Sequence, residues 1–179
     1  SYLSVVFRLL TVVNYTKIMN STSFLFRLLF VIYVASTTVF GYNPGTSWRN
    51  TNAFAALKDS TVEAWGSSDN GGSGVPSGLS GVKTIYSTER AFAALKEDGT
   101  VAAWGDSGYG GSGVPSGLSG VKTIYSTYYA FAALKEDGTV AAWGGSGNGE
   151  TNVPSGLSGV KAIYSTGYAF AALKEDGTV

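Results

Sequence analysis

After residue 50, short apolar runs alternate with stretches of glycine, serine and proline. Residues 82–86 are β-branched and aromatic and are bounded by small residues, a pattern that predicts a strand. Two more apolar runs, residues 91–95 and 100–104, flank the sequence Lys96-Glu97-Asp98-Gly99. Asp-Gly between apolar runs predicts a hairpin, because glycine adopts the positive φ that such turns need. The pattern therefore predicts a meander of three short strands, and the glycine-rich stretch that follows has room for a fourth.

This pattern recurs with a period of 39 residues, marked by Trp65, Trp104 and Trp143. Such periods are typical of stacked units that bury their apolar faces on one another. Large apolar side chains that recur once per unit are therefore expected in the core. The first unit has a turn, Lys58-Asp59-Ser60-Thr61, that lacks glycine and is one residue shorter, which predicts a tighter or irregular turn. No segment has a long helical period, so the predicted fold class is all-β.

The first 41 residues differ from the repeats, because they contain basic residues and no acidic one. Met19 is followed by a polar stretch, an apolar run over residues 28–35 and small residues that end at Gly41. This order is typical of a signal peptide, and the run is too short for the ~20 apolar residues of a spanning helix. We therefore expect residues 1–18 to be an upstream extension, residues 19–41 a signal peptide or an uncleaved anchor, and residues 42–179 the repeat domain. The expected location is secreted or cell surface.

Composition excludes several kinds of chemistry. The 179 residues include no histidine and no cysteine, which excludes a Ser-His-Asp triad, a cysteine nucleophile, a disulfide and a thiolate or imidazole zinc site. A formal net charge of +0 argues against a general polyanion binder, so no nucleic-acid partner is expected. Residues 108–113 match a dinucleotide-binding glycine pattern, but Val114-Pro115 follows where a helix must begin. We expect no catalytic residues, no metal and no cofactor, and the chain is not predicted to be an enzyme.

The copies of the unit differ from one another mainly in two loops. Loops on a rigid scaffold commonly carry recognition, and tyrosine and arginine combine contact area with a polar tip. The alternative interpretation is neutral drift in solvated loops. The candidate binding residues in these loops are Glu89, Arg90, Asp106, Tyr109, Tyr128, Tyr129, Asn148 and Tyr168.

Each unit also carries a recognisable order of short motifs. Val-Lys-Thr-Ile-Tyr-Ser-Thr, then Ala-Leu, Asp-Gly, Val and Trp-Gly, and finally a glycine-rich loop resemble the RCC1 (regulator of chromosome condensation) repeat. The resemblance covers residues 50–179, about three and a half units, and implies blades of a seven-bladed β-propeller. We therefore expect a partial propeller that is truncated at its C-terminus and is a fragment of a longer reading frame. The compact unit and the signal-like segment resemble most the secreted RCC1-like propellers, such as the type II β-lactamase-inhibitor proteins.

The chain departs from the RCC1 pattern at two places. Ala91, Ala130 and Ala169 stand where the family has histidine, and Gly110-Gly111-Ser112-Gly113 replaces its Gly-Gln-Leu-Gly loop. These departures argue against the guanine-nucleotide exchange role that the resemblance would allow. The favoured function is a secreted, non-catalytic propeller that binds a protein or a glycan through its variable loops. The alternative is a structural or cell-surface repeat protein, with a membrane as partner only if the N-terminal segment stays uncleaved.

Overall fold

A computed structural model describes residues 49–179, and the predicted upstream extension and signal segment lie outside these residues. The described chain is all-β, as predicted, and its strands pair antiparallel in four small sheets. The first and last sheets are hairpins, and the two between them are three-stranded meanders. In chain order the strands are β1 (Ala53–Lys58), β2 (Thr61–Gly66), β3 (Val82–Ser87), β4 (Ala91–Lys96), β5 (Val101–Gly105), β6 (Val121–Ser126), β7 (Ala130–Lys135), β8 (Val140–Gly144), β9 (Val160–Ser165) and β10 (Phe170–Lys174).

The predicted three-stranded meander is confirmed in the two complete units, with strand ends within one residue of those expected. The glycine-rich stretch contains no fourth strand in the described residues. It holds instead short 3₁₀ turns at Ser68–Asn70 and Ser107–Tyr109, each ended by a glycine with φ near 90°. The stretch lacks a run of β-branched residues, and its proline cannot donate to a strand ladder, which explains why no strand forms.

The turn of the first unit is tighter than the others, as its sequence predicts. Asp59 and Ser60 have φ of 48° and 61°, the positive values that a two-residue type I′ turn requires at both central positions. Lys58 and Thr61 pair directly on either side of it. In the complete units the turn is longer, and Gly99 takes the positive φ of 76°.

The core lies between adjacent sheets and is built from the side chains that recur once per unit. Phe131 stacks on Trp143 at a ring-centroid distance of 5.3 Å, and both are almost completely buried. The indole N–H of Trp143 donates to the carbonyl of Gly110 in the preceding unit at 3.1 Å. The equivalent Phe54 is 50% exposed, and Tyr164 is 57% exposed. The recurring phenylalanine, leucine and tryptophan are therefore buried in the two complete units and partly exposed in the first and last sheets, whereas Ile85 is only partly buried and Ile163 is buried.

Adjacent units are also joined by hydrogen bonds at both ends of their strands. At the end that carries the Asp-Gly turns, the amide of Val121 donates to the carbonyl of Gly99 at 3.0 Å. At the other end, the amide of Glu89 donates to the carbonyl of Tyr128 at 3.2 Å, and the amide of Tyr128 donates to Gly167 at 2.9 Å. We call these the turn end and the variable end. Neighbouring loops at the variable end are thus bonded directly to each other.

The aspartate of each Asp-Gly turn stabilises that turn. One carboxylate oxygen of Asp137 accepts from the hydroxyl of Thr139 at 2.6 Å and from its amide at 2.9 Å, and the other pairs with Lys135 at 3.0 Å. Donation by Thr139, followed by Lys135, lowers the pKa of Asp137 to about 2, and Asp98 and Asp176 shift in the same direction to about the same value. The aspartates of these turns therefore have a structural role.

These turns make stability depend on acid pH. Because the folded-state pKa is lower than the ordinary value of 3.8, the stabilisation is complete above that value and disappears as the pH falls toward 2. We expect Asp98→Asn, Asp137→Asn and Asp176→Asn together to flatten the loss of stability in this window. Urea unfolding between about pH 5 and about pH 2 measures it. The matched control, Glu97→Gln with Glu136→Gln and Glu175→Gln, should keep the wild-type slope, and an equal flattening by both triple variants would contradict the assignment.

Candidate functional site

Strand pairing brings the two variable loops of each unit to the same end of the sheet. Gly105 at the end of β5 pairs with Ala91 at the start of β4, so the loop after β5 lies beside the loop that joins β3 to β4. Gly144 and Ala130 repeat this arrangement in the next unit. The positions that vary between copies therefore share one surface.

Four tyrosines from three loops meet at this variable end. The ring centroids of Tyr109 and Tyr129 are 4.9 Å apart, and those of Tyr128 and Tyr129 are 4.7 Å apart. Tyr168 lies 5.9 Å from Tyr129 and 6.2 Å from Tyr128. We call these four residues the tyrosine cluster. Tyr168 is 55% exposed and the other three are half-buried, so the cluster presents both ring faces and hydroxyls to solvent.

Glu89 and Arg90 border the tyrosine cluster. The hydroxyl of Tyr128 donates to the Glu89 carboxylate, and Arg90 pairs with the other carboxylate oxygen at 3.3 Å. The Arg90 guanidinium also lies 4.8 Å from the centre of the Tyr109 ring, a cation–π contact. The hydrogen bond to Glu89 raises the pKa of Tyr128 to about 12, and burial raises the pKa of Tyr109. Tyr109 and Tyr128 are therefore neutral donors at physiological pH.

The structure brings six of the eight candidate residues together, and the other two have local partners. Asp106 accepts from the amide of Gly108 at 2.8 Å and so caps the 3₁₀ turn that carries Tyr109. Asn148 donates from its backbone and its side chain to the buried carboxylate of Glu150. Asn148 and Tyr168 also line an apolar cleft of about 600 Å³ beside the β9–β10 hairpin. The binding role of all eight residues stays a prediction.

In three of the four copies a threonine holds the variable loop, and the sequence comparison did not single it out; in the first copy Asn50 takes this position and accepts from the amides of Asn52 and Ala53. Thr127 is completely buried, and its hydroxyl accepts from the amides of Ala130 and Tyr129 at 3.0 and 3.3 Å. Thr88, also completely buried, donates from its hydroxyl to the carbonyl of Tyr109 at 2.8 Å. The Ser-Thr pair repeated before three of the loops was the available signal, since these hydroxyls commonly form local turns.

The surface at the variable end offers groups for noncovalent contact and hydrogen bonding. Residues 49–179 contain no group of three or more acidic residues placed to hold a metal ion. Within the same residues there is also no helix with the length and apolar character needed to cross a membrane. The surface offers apolar ring faces, phenol hydroxyls and one exposed guanidinium, which are the groups that serve best in recognition.

Comparison with solved structures identifies the fold. The chain matches Prp20p from Saccharomyces cerevisiae at a TM-score of 0.55 and 17% identity over 72% of this chain and 42% of that one. Prp20 is the yeast RCC1. The chain has the RCC1-like repeat fold. This RCC1-like chain also matches the ectodomain of the Physcomitrella patens receptor kinase CR4 (TM-score 0.50, 22% identity, 73% of this chain, 36% of that one). A third match is the ectodomain of the Arabidopsis thaliana receptor kinase ACR4 (TM-score 0.52, 18% identity, 73% of this chain, 46% of that one).

The RCC1-like chain spans less than half the length of each of these structures. No family model matches the chain, and no curated protein matches it in sequence. The resemblance read from the repeated motifs is therefore confirmed at the level of the fold. The similarity to secreted members of the group stays a prediction.

Proposed function

We propose that this RCC1-like repeat protein is a non-catalytic scaffold that binds a protein partner through the tyrosine cluster with Glu89 and Arg90. One observation carries the proposal: six of the eight candidate residues that distinguish one copy of the repeat from the next form a single contiguous surface. Drift in separate solvated loops would not require the altered side chains to contact one another. We place the surface outside the cell because residues 19–41 have the pattern of a signal peptide, and cleavage and export stay predictions.

The composition and rigidity of the surface support a protein partner. Tyrosine and arginine dominate the energetically important positions of protein interfaces. Buried Thr88 and Thr127 and hydrogen bonds between units hold the loops, so binding would cost little ordering entropy. The rings are inclined to one another by 33° to 67°, which suits interdigitation with side chains better than flat stacking on one sugar face.

The solved relatives are consistent with this role. The Prp20p structure is described with binding to Gsp1p and histones, and the two plant structures are receptor kinase ectodomains. At least one protein of this fold thus binds proteins, and the proposal for this chain rests on its own variable surface.

Binding of the full chain to protein and glycan arrays tests the proposal. We expect Tyr128→Ala with Tyr129→Ala to weaken binding to a protein partner by about tenfold to a hundredfold, as for a central interface residue. The matched control is Tyr164→Ala, which removes a tyrosine that is 57% exposed and outside the cluster, and it should leave binding unchanged. Urea unfolding of both variants separates lost contacts from lost folding. Protein binding that survives the double substitution, or binding to glycans alone, would overturn the proposal.

A further inference from the structure

We propose that the tyrosine cluster is also a site of oxidative modification, at which Tyr109 and Tyr129 couple to form a dityrosine bond between adjacent units. This inference is independent of the proposed binding function, because it rests on the reactivity of the phenols rather than on a partner. The oxidant it requires is a haem peroxidase acting with hydrogen peroxide, a one-electron oxidant by chemical class.

The chain directs one-electron oxidation toward tyrosine. It has no cysteine, and its single methionine, Met19, lies outside the described residues. Among the tryptophans of the described residues, Trp104 and Trp143 are only 3% exposed and Trp65 is partly exposed and stacked on Phe54, whereas Tyr168 in the cluster is 55% exposed. The usual sulfur targets of oxidants are thus missing from the repeat domain, and a surface of four phenols is offered instead.

The cluster also contains a base that can accept the proton lost when a phenol is oxidised. A phenol becomes a strong acid when an electron is removed, so a base in hydrogen-bond contact makes the oxidation easier. The hydroxyl of Tyr128 donates to the Glu89 carboxylate, and Arg90 orients that carboxylate from 3.3 Å. The proton of Tyr128 passes to Glu89 as the electron leaves. Ring contacts of 4.7 to 6.2 Å then allow the radical to move within the cluster. As Tyr128 takes back an electron from a neighbouring phenol it regains its proton from Glu89, and the newly oxidised phenol releases its own proton to solvent.

Geometry selects the pair that couples. Tyr128 and Tyr129 are adjacent in sequence, so a bond between their rings would close a small strained cycle. The nearest ring on another loop is that of Tyr109, whose centroid is 4.9 Å from that of Tyr129 at an angle of 44°. Because the two phenols are held close together in one molecule, their intramolecular coupling is much faster than coupling between two separate molecules.

The reaction balances as a two-electron oxidation. Each phenol gives up one electron and one proton, and the two phenoxyl radicals form one carbon–carbon bond between their ortho positions. The two ortho hydrogens shift to the oxygens as the rings become aromatic again, so the protein loses two hydrogens in total. Hydrogen peroxide takes up the two electrons and two protons and becomes two molecules of water. The bond would join the loop after β5 to the loop between β6 and β7.

Treatment of the dilute full chain with horseradish peroxidase and limiting hydrogen peroxide tests the inference. The expected product is a monomer that has lost two hydrogens, shows dityrosine fluorescence, and yields a linked pair of peptides containing Tyr109 and Tyr129. Because the new link constrains the unfolded chain, the urea midpoint should rise. Tyr129→Phe keeps the ring and should abolish the linked pair, and Glu89→Gln should slow its formation by about tenfold at an unchanged position.

The matched control is Tyr164→Phe, which removes a tyrosine as exposed as Tyr168 but outside the cluster. It should leave the rate and the linked peptides unchanged. Coupling of peptides that lack Tyr109, an equal yield in the Tyr129→Phe variant, or cross-linked dimers as the main product would overturn the inference. A Glu89→Gln variant that reacts at the wild-type rate would overturn the role of Glu89 as proton acceptor.

Discussion

Phe131→Ala is expected to lower the free energy of unfolding by about 3–5 kcal/mol, the range for a completely buried phenylalanine replaced by alanine. Phe131 is 0% exposed and stacks on Trp143 at 5.3 Å. Its removal leaves a cavity between two sheets, and the neighbouring side chains cannot fill it without moving strands that are fixed by their ladders. Urea unfolding followed by tryptophan fluorescence measures the loss.

The repeat supplies a matched control for this substitution at the same position of the first unit. Phe54 also stacks on a tryptophan, Trp65, at 5.7 Å, but its side chain is 50% exposed. Phe54→Ala should therefore cost only about 1 kcal/mol, since half of the apolar surface is already in water. Equal losses at Phe54 and Phe131 would show that the sheets do not pack as described.

Gly110→Ala is expected to destabilise the fold by about 2–4 kcal/mol, from a positive φ and a steric overlap together. Gly110 has φ of +90°, and a Cβ there would lie 2.7 Å from Cδ2 of Phe131. The ring cannot retreat, because it is packed on Trp143, whose indole N–H donates to the Gly110 carbonyl. Gly71 has the same relation to Phe92 in the preceding unit and should respond in the same way.

Alanine substitutions at two other glycines separate the cost of the positive φ from the cost of the steric overlap. Gly113 has φ of +80° with nothing within 4 Å of a Cβ, so Gly113→Ala should cost about 1 kcal/mol from backbone strain alone. At Gly147 there is open space and no positive φ, so Gly147→Ala should be neutral or stabilising by about 0.5 kcal/mol. The comparison uses urea midpoints of the three variants. A loss at Gly110 no greater than at Gly113 would contradict the steric contact with Phe131.

The candidate site shows what comparison of the repeats can predict and what it cannot predict. The comparison isolates the positions that vary against a unit whose other positions are nearly unchanged. It places Tyr109, Tyr128 and Tyr168 in separate loops and cannot tell that their rings meet. It also does not distinguish Asp106, which caps a turn, from Glu89, which borders the cluster. Asp106 bonds to Gly108 two residues away, whereas Glu89 bonds to Tyr128 in the equivalent loop of the next unit, 39 residues away, and only the packing of adjacent units brings that pair together.

The sequence by itself determined the strands, the turns, the repeat and the all-β class, because these follow from local patterns with a short period. The sequence Lys-Glu-Asp-Gly forms a turn in every unit that contains it. The turn at Asp59 and Ser60 is tight because its local sequence is one residue shorter. Only the tertiary structure decided which recurring side chains are buried and which variable residues touch. Phe54 and Phe131 have the same place in the repeat, yet their burial differs because it depends on the neighbouring sheet. The tyrosine cluster likewise exists because adjacent units pack with their variable ends together, and that orientation is a property of inter-unit contacts that no single unit encodes.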